Sequence, residues 1–254
     1  MKTMTIITGA SRGLGLALAR ASLRPMDTVV TLERKPVNTL TAEAKKCDCE
    51  FVQFSADLVD LSAGITLLNW WLSEDEVAKF DRICLINNAG ILGPVGPIEN
   101  AEPQEIADCM KVNFESPALL ISTFLKLTEK SGCDRRIMNI SSGAARKSVP
   151  GWTLYCSTKA GIDRLSATIA ADEAGKPNGA KICAIAPGVV NTGMQEKIRG
   201  SNETDFPPVQ RFIDLYENNE LTDPDTCAKQ LISYLHSDAF GSEPIADIRT
   251  LSKD

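Results

Sequence analysis

The chain has 254 residues, 43% hydrophobic and 24% charged, an ordinary balance for a globular protein and short enough for one α/β domain. Its net charge of −6 excludes the basic stripe that nucleic-acid binding needs, since the basic pairs Lys45-Lys46, Arg135-Arg136 and Arg146-Lys147 are too short. No apolar run approaches about 18 residues, and the first residues run directly into a strand and a glycine turn, so the expectation is a cytoplasmic chain without signal peptide or membrane span.

Residues 4–8, Met-Thr-Ile-Ile-Thr, predict a first strand. It leads into Gly9-Ala10-Ser11-Arg12-Gly13-Leu14-Gly15, where a helical pattern of Leu14, Leu16, Ala17, Leu18 and Ala21 begins. Strand, glycine turn and helix suit a dinucleotide pyrophosphate, because small residues let the backbone approach it and a helix start is positive. The same G-x-x-x-G-x-G spacing also suits a tight turn with no ligand. Residues 28–32 read as a second strand ending in Glu33-Arg34-Lys35. In a doubly wound sheet this end faces the adenosine ribose, where an acid suits a free 2′-hydroxyl and a base a 2′-phosphate. Arg34 and Lys35, with Arg12, favour NADP(H) over NAD(H); Glu33 dissents.

Residues 50–54 read as a third strand with Asp57-Leu58 beyond it. Asp57 either contacts the adenine or caps the next helix, residues 61–77, on which Trp70 and Trp71 read as packing residues. A fourth strand, 82–86, delivers Asn87-Asn88-Ala89-Gly90, whose asparagines can hold a glycine turn. A Gly/Pro-rich loop then precedes a long helix over 103–130. A fifth strand, 136–140, ends at Ser141-Ser142-Gly143, and a sixth, 181–186, at Pro187-Gly188-Val189-Val190-Asn191-Thr192. Residues 193–221, polar around Phe206-Pro207-Pro208, read as a substrate-side lid. A last helix runs from Thr222-Asp223-Pro224 to His236, and 244–248 form a closing strand. This alternation predicts a single α/β domain over 1–254: a doubly wound Rossmann-type parallel sheet of about seven strands with helices on both faces. Ligands then belong beyond the carboxyl ends of the strands, where the glycine turn, Asp57, residues 87–90, Ser142 and residues 187–192 converge.

Between the fifth and sixth strands lies Gly151-Trp152-Thr153-Leu154-Tyr155-Cys156-Ser157-Thr158-Lys159, entering a helix over 157–171. Tyr155 and Lys159, four apart, share a helix face. A permanent cation beside a phenol favours phenolate and draws its pKa from about 10 towards neutrality, which suits a proton donor. Alone, such a pair is usually a packed ring and a solvated amine. The single histidine, His236, reads as a helix-terminal residue, which excludes histidine-dependent triads. The eight cysteines read as reduced thiols, and Cys47-Asp48-Cys49 lacks a second pair to complete a zinc site, so no metal is expected.

With TGASRGLG, NNAG, Ser142, YCSTK and PGVVNT in this order, the chain resembles the short-chain dehydrogenase/reductase family over essentially its whole length. Within it, GWTLYCSTKAG, PGVVNTGMQ and the C-terminal Ile245-Ala246-Asp247 resemble the sepiapterin reductase and benzil reductase subgroup. The resemblance implies a tetrad of Asn113, Ser142, Tyr155 and Lys159. Tyr155 would protonate the carbonyl oxygen, Ser142 would orient it, Lys159 would hold the nicotinamide ribose, and Asn113 would hold a water linking Lys159 to solvent. It also implies cofactor contacts from Gly9, Ser11, Arg12, Gly13, Leu14, Gly15, Arg34, Lys35, Asp57, Leu58, Asn88, Ala89, Gly90, Tyr155, Lys159, Pro187, Gly188, Val190 and Thr192. Substrate contacts would come from Ser142, Trp152, Tyr155, Met194 and Asp247, with Asp247 either anchoring a pterin or serving as a structural strand-end residue. The expected activity is NADPH-dependent reduction of a small ketone, diketone or pterin side-chain carbonyl. Alternatives are an NAD(P)-linked 3-oxoacyl or hydroxysteroid dehydrogenase and a non-catalytic NADP(H)-binding regulator. Family members associate through helices equivalent to 103–130 and 155–172, so a homodimer or homotetramer is expected.

Overall fold

The computed structural model describes residues 1–251. In chain order the elements are β1 (Thr3–Thr8), α1 (Gly13–Ser22), β2 (Thr28–Glu33), α2 (Asn38–Lys46), β3 (Glu50–Ser55), α3 (Leu61–Trp71), α4 (Glu74–Val77) and β4 (Arg82–Asn87). They continue with α5 (Pro103–Met110), α6 (Ser116–Thr128), β5 (Asp134–Ile140), α7 (Thr153–Ala174), β6 (Lys181–Ala186), α8 (Gly193–Arg199), α9 (Val209–Glu217), α10 (Pro224–His236) and β7 (Ile245–Asp247). The seven strands form one parallel sheet in the order β3-β2-β1-β4-β5-β6-β7, as the alternation predicts.

The central strands are apolar at successive positions because helices cover both faces. Ile7, Ile86, Met138 and Ile185 pack with Leu14 and Leu18 of α1 and Leu231 and Leu235 of α10. Their neighbours Ile6, Leu85, Ile137 and Ile182 face the other way, towards Leu68 of α3 and Leu120, Ile121 and Phe124 of α6. The strand order reverses between β1 and β4, opening a crevice at their carboxyl ends.

Three helical expectations differ. The helix over 61–77 stops at Trp71 and restarts, because Ser73 accepts from the Glu76 N–H at 3.3 Å and is followed by Glu74, Asp75 and Glu76 in the first turn of α4. The helix over 103–130 contains a π turn at Lys111–Glu115. Pro117 has no N–H to give the Asn113 carbonyl, and the Ser116 N–H reaches back five residues to the Lys111 carbonyl instead. The helix predicted over 157–171 is longer, from Thr153 to Ala174. Of the two tryptophans, Trp71 packs against the core while Trp70 is 67% exposed.

His236 ends α10, and its Nδ1 lies 3.0 Å from Arg82 Nη1. Burial, with Arg24, Arg82 and Arg136, pulls its pKa from 6.5 down to about 4, so the folded ring is neutral. Between those two values the unfolded chain binds the proton and the folded chain does not, so stability falls as pH drops through that window. The urea midpoint is therefore expected to decline from pH 7 to pH 4, and less steeply in His236→Gln.

Candidate active site

The glycine turn is a steric necessity of this packing. A Cβ on Gly15 would lie 2.1 Å from the Gly9 carbonyl oxygen and 2.4 Å from Asn88 Nδ2. Gly9 has φ +72°, and its Cβ would meet Ala89 Cα at 2.8 Å. The second turn is tied to the first: Asn88 Nδ2 donates to the Thr8 and Gly9 carbonyls at 3.0 and 3.2 Å, and Thr8 Oγ1 accepts from the Asn88 and Ala89 N–H groups. The start of α1 has no side-chain cap and no acid in its first turn, so its first N–H groups are left for an anion in the crevice.

A cavity of about 620 Å³ runs from this turn across the strand ends. Gly9, Ser11, Arg12, Gly13, Leu14, Gly15, Arg34, Asp57, Leu58, Asn88, Ala89 and Gly90 line one part of it. Ser142, Trp152, Tyr155, Lys159, Pro187, Gly188, Val190, Thr192 and Met194 line the rest. Lys35, Asn113 and Asp247 are not on its wall. Asp57 neither caps α3, which Asp60 does, nor is idle: its Oδ1 accepts from the Val59 N–H at 3.1 Å and shapes the turn.

At the end of β2, Glu33 is only 2% exposed and also lines the cavity. Its Oε1 accepts from Thr31 Oγ1 at 3.1 Å and Gln53 Nε2 at 3.0 Å, whereas Oε2 is buried without a partner. Burial raises the pKa of this carboxyl, and the two hydrogen bonds oppose the rise. Arg34 beside it is exposed and forms no ion pair among the described residues.

The α7 helix brings Tyr155 and Lys159 to the cavity, both buried. Lys159 Nζ donates to the Ile140 carbonyl at 2.8 Å and lies 5.8 Å from the Tyr155 ring centre. Burial lowers the Lys159 pKa to about 8, with Asp163 acting against it. Contrary to expectation, the Tyr155 pKa is raised: burial outweighs the Ser142 hydroxyl that favours the phenolate. The phenol is thus held protonated, the form a proton donor needs. Ser142 follows β5, and its Oγ accepts from the Ala144 N–H at 3.1 Å, which fixes the hydroxyl at the start of the turn Gly143–Arg146.

Asn113 sits inside the π turn and grips the loop after Gly90 at both ends of its amide. Oδ1 accepts from the Ile91 N–H and Nδ2 donates to the Ile91 carbonyl, each at 2.8 Å, with Thr158 Oγ1 at 3.3 Å. These bonds pin that loop to α7. Asp247 is likewise engaged: Arg249 Nε and Nη2 donate to its carboxylate at 2.8 and 2.6 Å. Arg249, which the sequence reading missed, lies on the cavity wall against Gly188. The polar segment 193–221 is also more than a cover. Phe206 is buried and stacks on Trp152 at 4.8 Å, with Phe212 at 5.3 Å from the same ring. Among the described residues, no group of three His, Cys, Asp or Glu side chains converges to hold a metal ion, all eight cysteines are free thiols, and no helix is long and apolar enough to cross a membrane.

The family model described as short chain dehydrogenase matches residues 3–203. The chain belongs to the short-chain dehydrogenase/reductase family. It is 38% identical over 235 residues to the benzil reductase ((S)-benzoin forming) of Bacillus cereus, covering 92% of this chain and 94% of that protein. It is 30% identical over 249 residues to the sepiapterin reductase of Xenopus tropicalis, covering 94% and 93%. A crystal structure of a short-chain dehydrogenase/reductase from Saccharomyces cerevisiae superposes with a TM-score of 0.79 at 25% identity, covering 98% of this chain and 96% of that one. These relatives make the chain an oxidoreductase of the short-chain family, in agreement with the sequence reading.

Proposed function

We propose that the protein is an NADPH-dependent carbonyl reductase acting on a small aromatic ketone or vicinal diketone. The observation that carries this reading is geometric: Tyr155, Ser142 and, one helical turn on, Lys159 line the same cavity as the glycine turn. The crevice fits a dinucleotide: the uncapped start of α1 suits the pyrophosphate, and Arg12 and Arg34, which form no ion pair among the described residues, suit a 2′-phosphate. Lys159 would hold the nicotinamide ribose. A reduced nicotinamide bound there supplies hydride to the carbonyl carbon. Ser142 and Tyr155 would hydrogen-bond the carbonyl oxygen, and Tyr155 would deliver its proton as negative charge develops there. The ammonium of Lys159 would then stabilise the phenolate left behind, so the cation acts on the product state more than on the resting pKa.

The substrate half of the cavity favours an aromatic diketone over a pterin. Its wall is built from Trp152, Met194 and Phe212, and the carboxylate expected to anchor a pterin is bound by Arg249. A second reading, reduction of a 3-oxoacyl thioester, draws on another observation. Lys147, Lys197 and Arg211 line the same half with no ion pair among the described residues, a setting for a phosphorylated carrier. The test is loss of NADPH absorbance with benzil, sepiapterin and acetoacetyl-CoA in parallel. Turnover of benzil supports the first reading; turnover of the thioester alone overturns it in favour of the second.

Cofactor choice is tested at the end of β2. Arg34→Ala is expected to raise KM for NADPH about tenfold, the loss of one charge-assisted contact, while leaving NADH unaffected. Glu33→Gln removes a negative charge near the phosphate and should lower KM for NADPH. Equal responses with both cofactors would remove the 2′-phosphate from the account.

A further inference from the structure

One buried anion lies beneath the proton-transfer centre and takes no part in the mechanism above. Asp163 stands one helical turn beyond Lys159 on α7 and is 6% exposed. Its Oδ1 accepts from Ser141 Oγ, and its Oδ2 accepts from Arg146 Nε at 3.2 Å. Arg146 in turn donates through Nη2 to the Ala246 carbonyl of β7 at 2.8 Å. The carboxylate therefore joins three elements: the helix carrying Tyr155 and Lys159, the strand end and turn carrying Ser142, and the last strand. Two successive turns of α7 grip adjacent residues of that strand end, Lys159 at the Ile140 carbonyl and Asp163 at the Ser141 hydroxyl.

We propose that Asp163 is a positioning residue for the reaction: its carboxylate sets Ser142 opposite Tyr155 and keeps the Lys159 ammonium charged inside the protein. It lies between two cations, Arg146 from the turn and Lys159 from its own helix. Asp247 of β7 faces Arg146, and the remaining titratable groups facing this cluster are Cys109 of α5 and Tyr155, near Lys159, and Cys183 of β6, near Asp163. These last three are neutral at physiological pH, with burial pushing the Cys109 thiol up to about 11 and Cys183 up to about 12. Asp163 thus supplies the negative charge that opposes the desolvation of Lys159.

This inference rests on the reductase reading for its purpose, but its test does not. Lysine side chains labelled with carbon-13 at Cε report the Lys159 titration by NMR in the protein without substrate, assigned with Lys159→Arg. Asp163→Asn is expected to lower the midpoint by about one pH unit or more, the shift of losing a nearby opposite charge. Arg146→Gln should move it upwards. Ser141→Ala, which removes a bond to Asp163 and leaves its charge, should not move it. The alkaline limb of kcat/KM should follow the NMR midpoint in each variant, and Asp163→Glu should restore part of it. A folded Asp163→Asn protein with the wild-type midpoint would overturn the proposal, as would the same downward shift in Ser141→Ala. Should Asp163→Asn fail to fold, a downward or absent shift in Arg146→Gln would overturn it. Absence of turnover with every carbonyl, beside intact NMR shifts, would count against the reductase reading alone.

Discussion

Tyr155→Phe is expected to lower kcat for carbonyl reduction by about 10³-fold, within the range a positioned general acid contributes, with NADPH affinity and thermal stability near those of the wild type. The ring is buried and packs edge-on to Trp152 at 5.5 Å, so phenylalanine keeps the packing and removes only the hydroxyl. The lost hydroxyl carries a proton that faces the cavity beside Ser142 and that burial holds on oxygen. Hydride delivery would then leave an alkoxide with Ser142 as its remaining protein donor. Steady-state kcat and fluorescence titration with NADPH separate the two effects. A Phe variant within tenfold of wild-type kcat would assign proton donation elsewhere.

The largest effect on stability is expected away from the cavity. Arg135 and Glu173 pair at 3.1 Å with both side chains 2% exposed. Glu173 also accepts from the Ala180 N–H at 2.9 Å and from Lys176, so one carboxylate ends α7, shapes the approach to β6 and neutralises Arg135. Burial alone would raise its pKa, yet the Ala180 N–H, Lys176 and Arg135 hold it below the usual carboxylate value. Glu173→Ala leaves a buried guanidinium without its partner and is expected to cost about 3–5 kcal/mol, the range for breaking one side of a buried pair. At 254 residues that corresponds to a Tm lower by about 10 °C. The double variant Arg135→Met/Glu173→Leu should recover much of the loss, because the cost lies in the unpaired charge. A Glu173→Ala midpoint within about 1 kcal/mol of wild type would show that Arg135 finds water instead.

The strands were legible because β1, β2, β4, β5 and β6 contain short apolar runs, as a parallel sheet covered on both faces requires, and all of these but β2 are followed closely by glycine, asparagine or serine. The glycine turn and Ser142 were legible for the same reason, since each lies at a strand end, whereas Tyr155 and Lys159 were legible from their four-residue spacing on one helix face. What escaped sequence reasoning depends on contacts between distant residues. The π turn follows from Pro117 four residues after Asn113, a signal present in the sequence but obscured by an otherwise regular helical pattern. The direction of the Tyr155 shift could not be read from spacing, because it is set by how completely Trp152 and neighbouring groups exclude water from the phenol. Arg249 takes the carboxylate of Asp247 through a two-residue turn that no periodicity announces. The segment 193–221 was read as polar, yet Phe206, Val209 and Phe212 are buried in it and meet Trp152 and Leu92 in a core of their own.

The central claim is hydride transfer from NADPH to a carbonyl carbon with Tyr155 supplying the proton. Its most direct test is mass spectrometry of the product formed from benzil and NADPH deuterated at the transferable C4 position. The account predicts benzoin with one deuterium on the carbinol carbon, formed by the wild type and nearly lost in Tyr155→Phe. Benzoin without deuterium, or deuterated benzoin formed equally by both proteins, would contradict it.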